Sequence, residues 1–317
     1  MLSKGQLPLV PAHLRRYVVE QDYGQYTEVD HAVWRFVLLQ TYTRLSHTAH
    51  PAYRTGLAAT GISVERIPRI DEMNEKLSRV GWGAVCVDGF IPPRAFQSFQ
   101  ASRLLPIAAE IRSAEHLAYT PAPDIIHEAA GHAPILSEPA YARFLQEIGA
   151  VSERAFTTPE DRAVYDTIHA LSELKENPAS TKEQVRAAEV LLERTLAEVT
   201  EVSESARMAR LYWWTAEYGL IGNVQDYALY GAGLLSSLGE SQSCHSHAVK
   251  KHRLSAACVD FDYDITRAQP QLFVAESFEH LLSVLDEVSA SLAYRGPPLP
   301  ALALAKRSEE VATLELE

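Results

Sequence analysis

PDIIHEAAGHAPIL (123–136) and LYWWTAEYGL (211–220) decide how this chain is read. In the first, His127 and His132 lie five apart, with Glu128 beside the first of them. A zinc-protease motif sets its histidines four apart, on one helical face. At five apart a regular α-helix turns the two side chains about 140° away from each other. Both imidazoles reach one ion only if the helix ends or bends between them, and Gly131 and Pro134 supply such a break. Asp124, just past Pro123, suits the N-cap of a helix that begins IIHEAAGH. Two histidines alone also fit the ends of buried helices. The second stretch is aromatic and apolar but for Glu217, which stands 85 positions after His132. A buried carboxylate is costly unless it is paired or metal-bound. Its partner is either an arginine, Arg207 or Arg210, or a metal. Two imidazoles and one carboxylate on one face of an octahedral ion leave coordination positions open, as in non-haem iron(II) oxygenases. Zinc on the same three residues, with Glu128 as general base, would make a hydrolase; the histidine spacing and the aromatic lining count against it.

Working outward, the 317 residues are 47% hydrophobic, enough for one large core. The formal charge is −12 and the nearest thing to a basic cluster is Lys250, Lys251 and Arg253, so a nucleic-acid partner is not expected. No long uncharged apolar run spans a membrane, and the N-terminus carries no secretory pattern. Three cysteines, Cys86, Cys244 and Cys258, make no disulfide framework and fit a reducing, cytoplasmic compartment. Cys244 with His245, His247 and His252 has metal-type donors, but the ordinary reading is a polar loop.

The chain is expected to be mainly α with a few short β-strands. Segment 28–47 places Val29, Val33, Val37 and Leu38 on one helical side. Segment 71–80 reads as a helix stopped by Gly81, 82–91 as a strand with a turn near Gly89, and 94–102 as another short helix. Residues 119–124 hold prolines that forbid a helix. From 159 to 217 the pattern is strongly helical, broken at Pro178, with Ser180 and Glu183 as a capping box and a charged, solvated face from Glu173 to Glu204. Residues 258–274 alternate in the manner of a hairpin or edge strands. One catalytic domain is expected over 1–294, with a helical insert at about 160–205; 295–300 reads as a Pro-rich linker leading into the tail that ends at 317.

PDIIHEAAGHAPIL, LYWWTAEYGL and YGAGLLSSLGE (230–240) together resemble hallmark segments of the pterin-dependent aromatic amino acid hydroxylases. The resemblance runs in order from about residue 28 to 290 and implies that family's catalytic fold. It implies iron(II) held by His127, His132 and Glu217, with Glu217 and Glu128 in the catalytic centre and Glu128 facing the cofactor. A reduced tetrahydropterin would be held by Gly89, Ile91 and Phe96 of the loop VDGFIPPRAF (87–96), with Glu128 and Tyr212. Pro92 and Pro93 stand where the animal enzymes have serines, which removes a hydroxyl contact to the pterin. The substrates implied are O2 and an aromatic amino acid. Arg112 would take the substrate carboxylate, for which a guanidinium fork is suited; a surface pair with Glu110 or Glu115 is its ordinary alternative. Thr120, Ser236 and Glu240 would support the site, and Pro123, Trp213 and Tyr218 would wall the ring. Trp213, where tryptophan hydroxylases resemble Phe, and Ile265, where tyrosine hydroxylases carry an acid, favour phenylalanine; tryptophan is the family's alternative. No counterpart of the animal enzymes' regulatory domain or tetramer-forming helix is expected, so the oligomeric state is open.

Overall fold

The computed structural model describes residues 9–89, 91–117, 123–176, 179–265 and 267–308. Helix α1 (Glu28–Arg44) is opened by a reciprocal cap in which Thr27 and Asp30 each accept the other's backbone N–H. Val33, Val37 and Leu38 are buried as expected, around a fully buried Trp34, whereas Val29 is 62% exposed. Val29 lies in the first turn, ahead of the point where the helix meets the core. Helices α2 (Ala52–Ala59) and α3 (Ile70–Leu77) follow, and Gly81, at φ 76°, ends the helical run. Strand β1 (Gly83–Val87), helix α4 (Pro93–Ala101) and strand β2 (Leu104–Ala108) form a small parallel unit, both strands buried throughout. Asn74 bonds both the N–H and the C=O of Ala84, tying α3 to β1.

After the first ligand segment come α5 (Pro139–Ser152), the antiparallel pair α6 (Pro159–Glu176) and α7 (Lys182–Glu198), and α8 (Glu204–Tyr212). The cap of α7 is Thr181 with Gln184, one residue beyond the expected Ser180 and Glu183, because the Thr181 hydroxyl is the one that accepts the Gln184 N–H. No residue of α7 is buried, in keeping with a solvated hairpin.

A second sheet is built from β3 (Leu220–Gly222), β4 (Tyr227–Leu229), β5 (Lys250–Arg253) and β6 (Gln271–Ala275), in the order β4-β3-β6-β5. Short helices α9 (Ala232–Ser236) and α10 (Glu240–Ser243) lie between β4 and β5. The hairpin or edge strands expected over 258–274 do not form. A 3-10 turn covers Ala256–Asp260, and β6 is an interior strand, parallel to both neighbours. Pro270 is tolerated because it sits just ahead of β6 and contributes only its carbonyl, to the Lys250 N–H. The chain continues through α11 (Phe278–Ser289) to α12 (Pro298–Ser308). Helix α12 begins inside the stretch expected as a linker and buries Ala301, Ala305 and Ser308. Arg162 of α6 donates to the Ser308 carbonyl at 3.2 Å, and Arg307 pairs with Glu201 at 3.2 Å. All three cysteines are buried thiols. Among the described residues no helix is long and apolar enough to cross a membrane.

Candidate metal centre

The spacing problem posed by His127 and His132 is solved by the helix itself. Residues Ile126–His132 form a π-helix, whose hydrogen bonds run from i to i+5. The expected bend is not what joins the two histidines; the wider turn carries them to the same side, with ring centroids 5.0 Å apart. Gly131 serves packing rather than breakage. A Cβ there would come within 2.8 Å of the Ala232 carbonyl, so its absence lets α9 approach. Pro134 opens the 3-10 turn Ala133–Ser137 beyond. Glu217 also ends a π-helical stretch, Trp213–Glu217, closed by the Tyr218 N–H on the Trp213 carbonyl.

Glu217 Oε2 lies 3.2 Å from His127 Nε2, and Oε1 lies 3.1 Å from His132 Nε2. Ligand atoms in neighbouring positions of an octahedral ion with bonds of about 2.1 Å sit about 3 Å apart. Each imidazole nitrogen therefore stands about that far from one oxygen of Glu217. Glu128 also brings a ligand-type oxygen within 4.8 Å of both histidines' donors. Glu217 is the better ligand, since each of its oxygens faces one imidazole, while the buried Glu128 Oε2 has no partner. The alternative partners for Glu217 are occupied elsewhere: Arg210 pairs with Asp262, and Arg207 bonds Ser291.

The neighbours fix the chemistry of the donors. The Ser236 hydroxyl donates to the Ala232 carbonyl at 2.7 Å, so toward His127 Nδ1, 3.0 Å away, it can only accept. Nδ1 carries the proton, and Nε2 is aimed at Glu217. Burial would lift the Glu217 carboxyl, but the two imidazoles hold it well below the usual carboxylate range. Burial lowers the His127 imidazole, yet Glu217 outweighs it and raises His127 to about 9. Burial, reinforced by Glu217 and Asp124 against the opposing pull of His127, lifts Glu128 to about 8. The centre is thus a buried cluster of acids that calls for positive charge, and a dication on the two Nε2 atoms and Glu217 supplies it. The donor set fits iron.

Arg112 is buried, not on the surface, and the pairing with Glu110 or Glu115 is replaced by a fork onto Asp124: Nε at 2.8 Å and one terminal nitrogen at 2.7 Å. Its other terminal nitrogen donates to the Ser236 carbonyl at 3.2 Å. Asp124 also accepts the His127 N–H at 3.0 Å, the capping role expected of it. Burial would raise this carboxyl, but Arg112 holds it below the usual range. Arg112, Pro123, Trp213, Tyr218 and Ser236 line one open cleft of about 2060 Å³ together with His127 and Glu217. Trp213 stacks on Tyr263 at 4.4 Å and lies 4.7 Å from Tyr218, whose hydroxyl donates to Glu240 at 3.1 Å. Ile265 lines the same cleft, as do residues of α6 and α7, including Tyr165, Ile168 and Leu192. Thr120 lies outside the described residues.

On the cofactor side, Gly89 has φ 62° and gives its N–H to Glu110 at 3.1 Å. Phe96 sits 6.1 Å from both the His132 and Tyr212 rings. Ile91 is buried in a small cluster with Leu14, Val85 and Phe99, so only its backbone is free for a ligand. His245 stacks on Tyr227 and the Cys244 thiol bonds the Ser241 carbonyl, the ordinary loop reading of that group. Sequence reasoning missed Asp124 as the partner of Arg112, Tyr263 as the face behind Trp213, and Gln269, which accepts the Trp213 indole N–H. Only Asp124 carried a signal, an acid three residues ahead of a ligand.

Two histidines and one carboxylate inside this helical body make a candidate mononuclear metal centre of the kind found in non-haem iron oxygenases. The profile of the biopterin-dependent aromatic amino acid hydroxylases matches residues 18–164 and 188–295, and the chain belongs to that family. A phenylalanine-4-hydroxylase of Ralstonia nicotianae is 29% identical over 84% of this chain and 72% of its own length. The Pseudomonas aeruginosa phenylalanine-4-hydroxylase is 28% identical, over 86% of this chain and 89% of its own. The crystal structure of Chromobacterium violaceum phenylalanine hydroxylase with iron and phenylalanine bound superposes with a TM-score of 0.65 at 25% identity, covering 94% of this chain and 92% of that one.

Proposed function

We propose that this chain is an iron- and tetrahydropterin-dependent monooxygenase that hydroxylates the ring of phenylalanine to give tyrosine. Family membership and relatives named phenylalanine-4-hydroxylase support the reaction. The observation that carries it is the pairing of the two Glu217 oxygens with the two Nε2 atoms at 3.1 and 3.2 Å. Iron and reduced pterin, when bound, supply the activation of O2 and the transfer of one oxygen atom to the ring.

The residues do the rest. His127, His132 and Glu217 would hold the ion through two imidazoles and one carboxylate, a set that leaves coordination positions for other groups. Ser236 fixes the His127 tautomer. Arg112 uses three of its side-chain N–H groups on Asp124 and Ser236, leaving two of its five for the substrate carboxylate. Trp213, Pro123 and Tyr218 confine the ring, with Glu240 holding the Tyr218 hydroxyl. Phe96 offers a face for the pterin to stack on, Tyr212 backs it, and Gly89 lets backbone approach its edge. Glu128 presents a buried, unpartnered carboxyl oxygen beside the two histidines, suited to a hydrogen bond with the cofactor. With a net charge of −12 and buried unpaired thiols, the reading expects a cytoplasmic enzyme with no nucleic-acid partner. Aerobic incubation with Fe(II), tetrahydropterin and each of phenylalanine, tyrosine and tryptophan, followed by mass spectrometry, tests it. Tyrosine from phenylalanine is the expected product; no hydroxylated product from any of the three would sink the reading.

A further inference from the structure

Gln100 lies at the end of α4 with no exposed surface. Its amide N–H donates to the Tyr212 hydroxyl at 2.7 Å, while its carbonyl oxygen has no partner. A buried amide with one group orphaned costs stability compared with an apolar side chain of the same length. Packing alone therefore favours methionine or leucine at this position, and the amide calls for another reason. Four residues earlier, on the same helical face, Phe96 sets its ring edge-on to the same Tyr212, with centroids 6.1 Å apart. Tyr212 is the last residue of α8, directly before the π-helical stretch that carries Glu217. Helix α4 is thus held to the ligand-bearing segment at two points, and the Gln100 contact is the directional one.

We propose that Gln100 is a positioning residue for the pterin. Its hydrogen bond to Tyr212 fixes the rotation of α4 about its axis, and with it the place of the Phe96 ring beside the metal ligands. The proposal rests on the reading of Phe96 and Tyr212 as pterin contacts. When the platform is loose, the pterin sits off line, and small misplacements cost rate steeply. The two electrons and two protons of the reduced tetrahydropterin then pass to O2, giving hydrogen peroxide and the oxidised dihydropterin, and the ring is left unhydroxylated.

Gln100→Met keeps length and volume and removes the hydrogen bond. Calorimetric titration of the iron-loaded enzyme with tetrahydropterin under nitrogen should show pterin affinity lower by roughly three- to tenfold, the size of one neutral hydrogen bond. In air, tyrosine formed per pterin oxidised should fall, with hydrogen peroxide making up the difference. Iron content should match the parent and the melting temperature should hold or rise. Tyr212→Phe removes the same bond from the other side, so in a double-mutant cycle the double variant should bind pterin no worse than the weaker single. Phe96→Ala separates the two levels of the argument. If it binds pterin normally, the platform reading fails and the proposal falls with it. If it binds poorly while Gln100→Met matches the parent in affinity and coupling, or only melts lower, the proposal alone is overturned. Additive losses in the cycle would overturn it as well.

Discussion

The two π-helical ligand segments and the α6–α7 hairpin line the same cleft, but they are built on opposite terms. Around the ligand segments key side chains are held by neighbours: His127 by Ser236, Arg112 by Asp124, Tyr218 by Glu240, Tyr212 by Gln100. Burial there is nearly complete. The hairpin packs chiefly on itself, α7 buries nothing, and Lys175 and Glu189 join its two arms at 3.3 Å. The family profile passes over residues 165–187, the outer part of this hairpin. Chemistry at an ion demands positions fixed to fractions of an ångström, whereas the outer wall of an entrance needs only to be present.

Four changes break or sharpen that contrast. The largest effect belongs to Glu217→Ala, which should lose iron on desalting and form no product; metal analysis beside the hydroxylation assay checks this, and full iron with full turnover would rule out the ligand. Next comes Arg112→Ala, which strands Asp124 in the interior. Removing one member of a buried pair costs about 3–5 kcal/mol, so denaturant unfolding should show that loss and the KM for phenylalanine should rise sharply. Ser236→Ala leaves the ligands in place but removes the acceptor that sets the His127 ring. Competition with a chelator should show iron affinity lower by about 10- to 100-fold. The smallest effect is expected from replacing residues 165–187 with a short Gly/Ser linker. Iron content should be unchanged, with kinetic differences confined to KM, as metal analysis and steady-state assays would show. A collapse of iron binding in that variant would show that the wall supports the centre after all.

The helical body, β1 and the turn at Gly89 were legible because local pattern carries them, and residue type alone singled out the three candidate ligands. The way His127 and His132 meet was not. A π-helix leaves no distinct signature in residue pattern, and an i, i+5 pair reads as misaligned on the commoner helix. The interior strand β6 was also hidden, since Pro270 suggested an edge and the parallel partners β3 and β5 are distant in sequence. Buried polar pairs such as Gln100 with Tyr212, 112 positions apart, leave no trace until the chain is folded. The surface alternative for Arg112 failed for the same reason, because Asp124 looked fully used as a helix cap.

The two contacts made by α12 have a practical edge. Arg162 reaches the Ser308 carbonyl, and Arg307 reaches Glu201, so α12 clasps the base of the hairpin from outside. A shortened version trimmed to the family boundary at residue 295 would keep every ligand yet unfasten the entrance wall. Work with such a trimmed protein would report faithfully on the iron and misreport how substrate gets in.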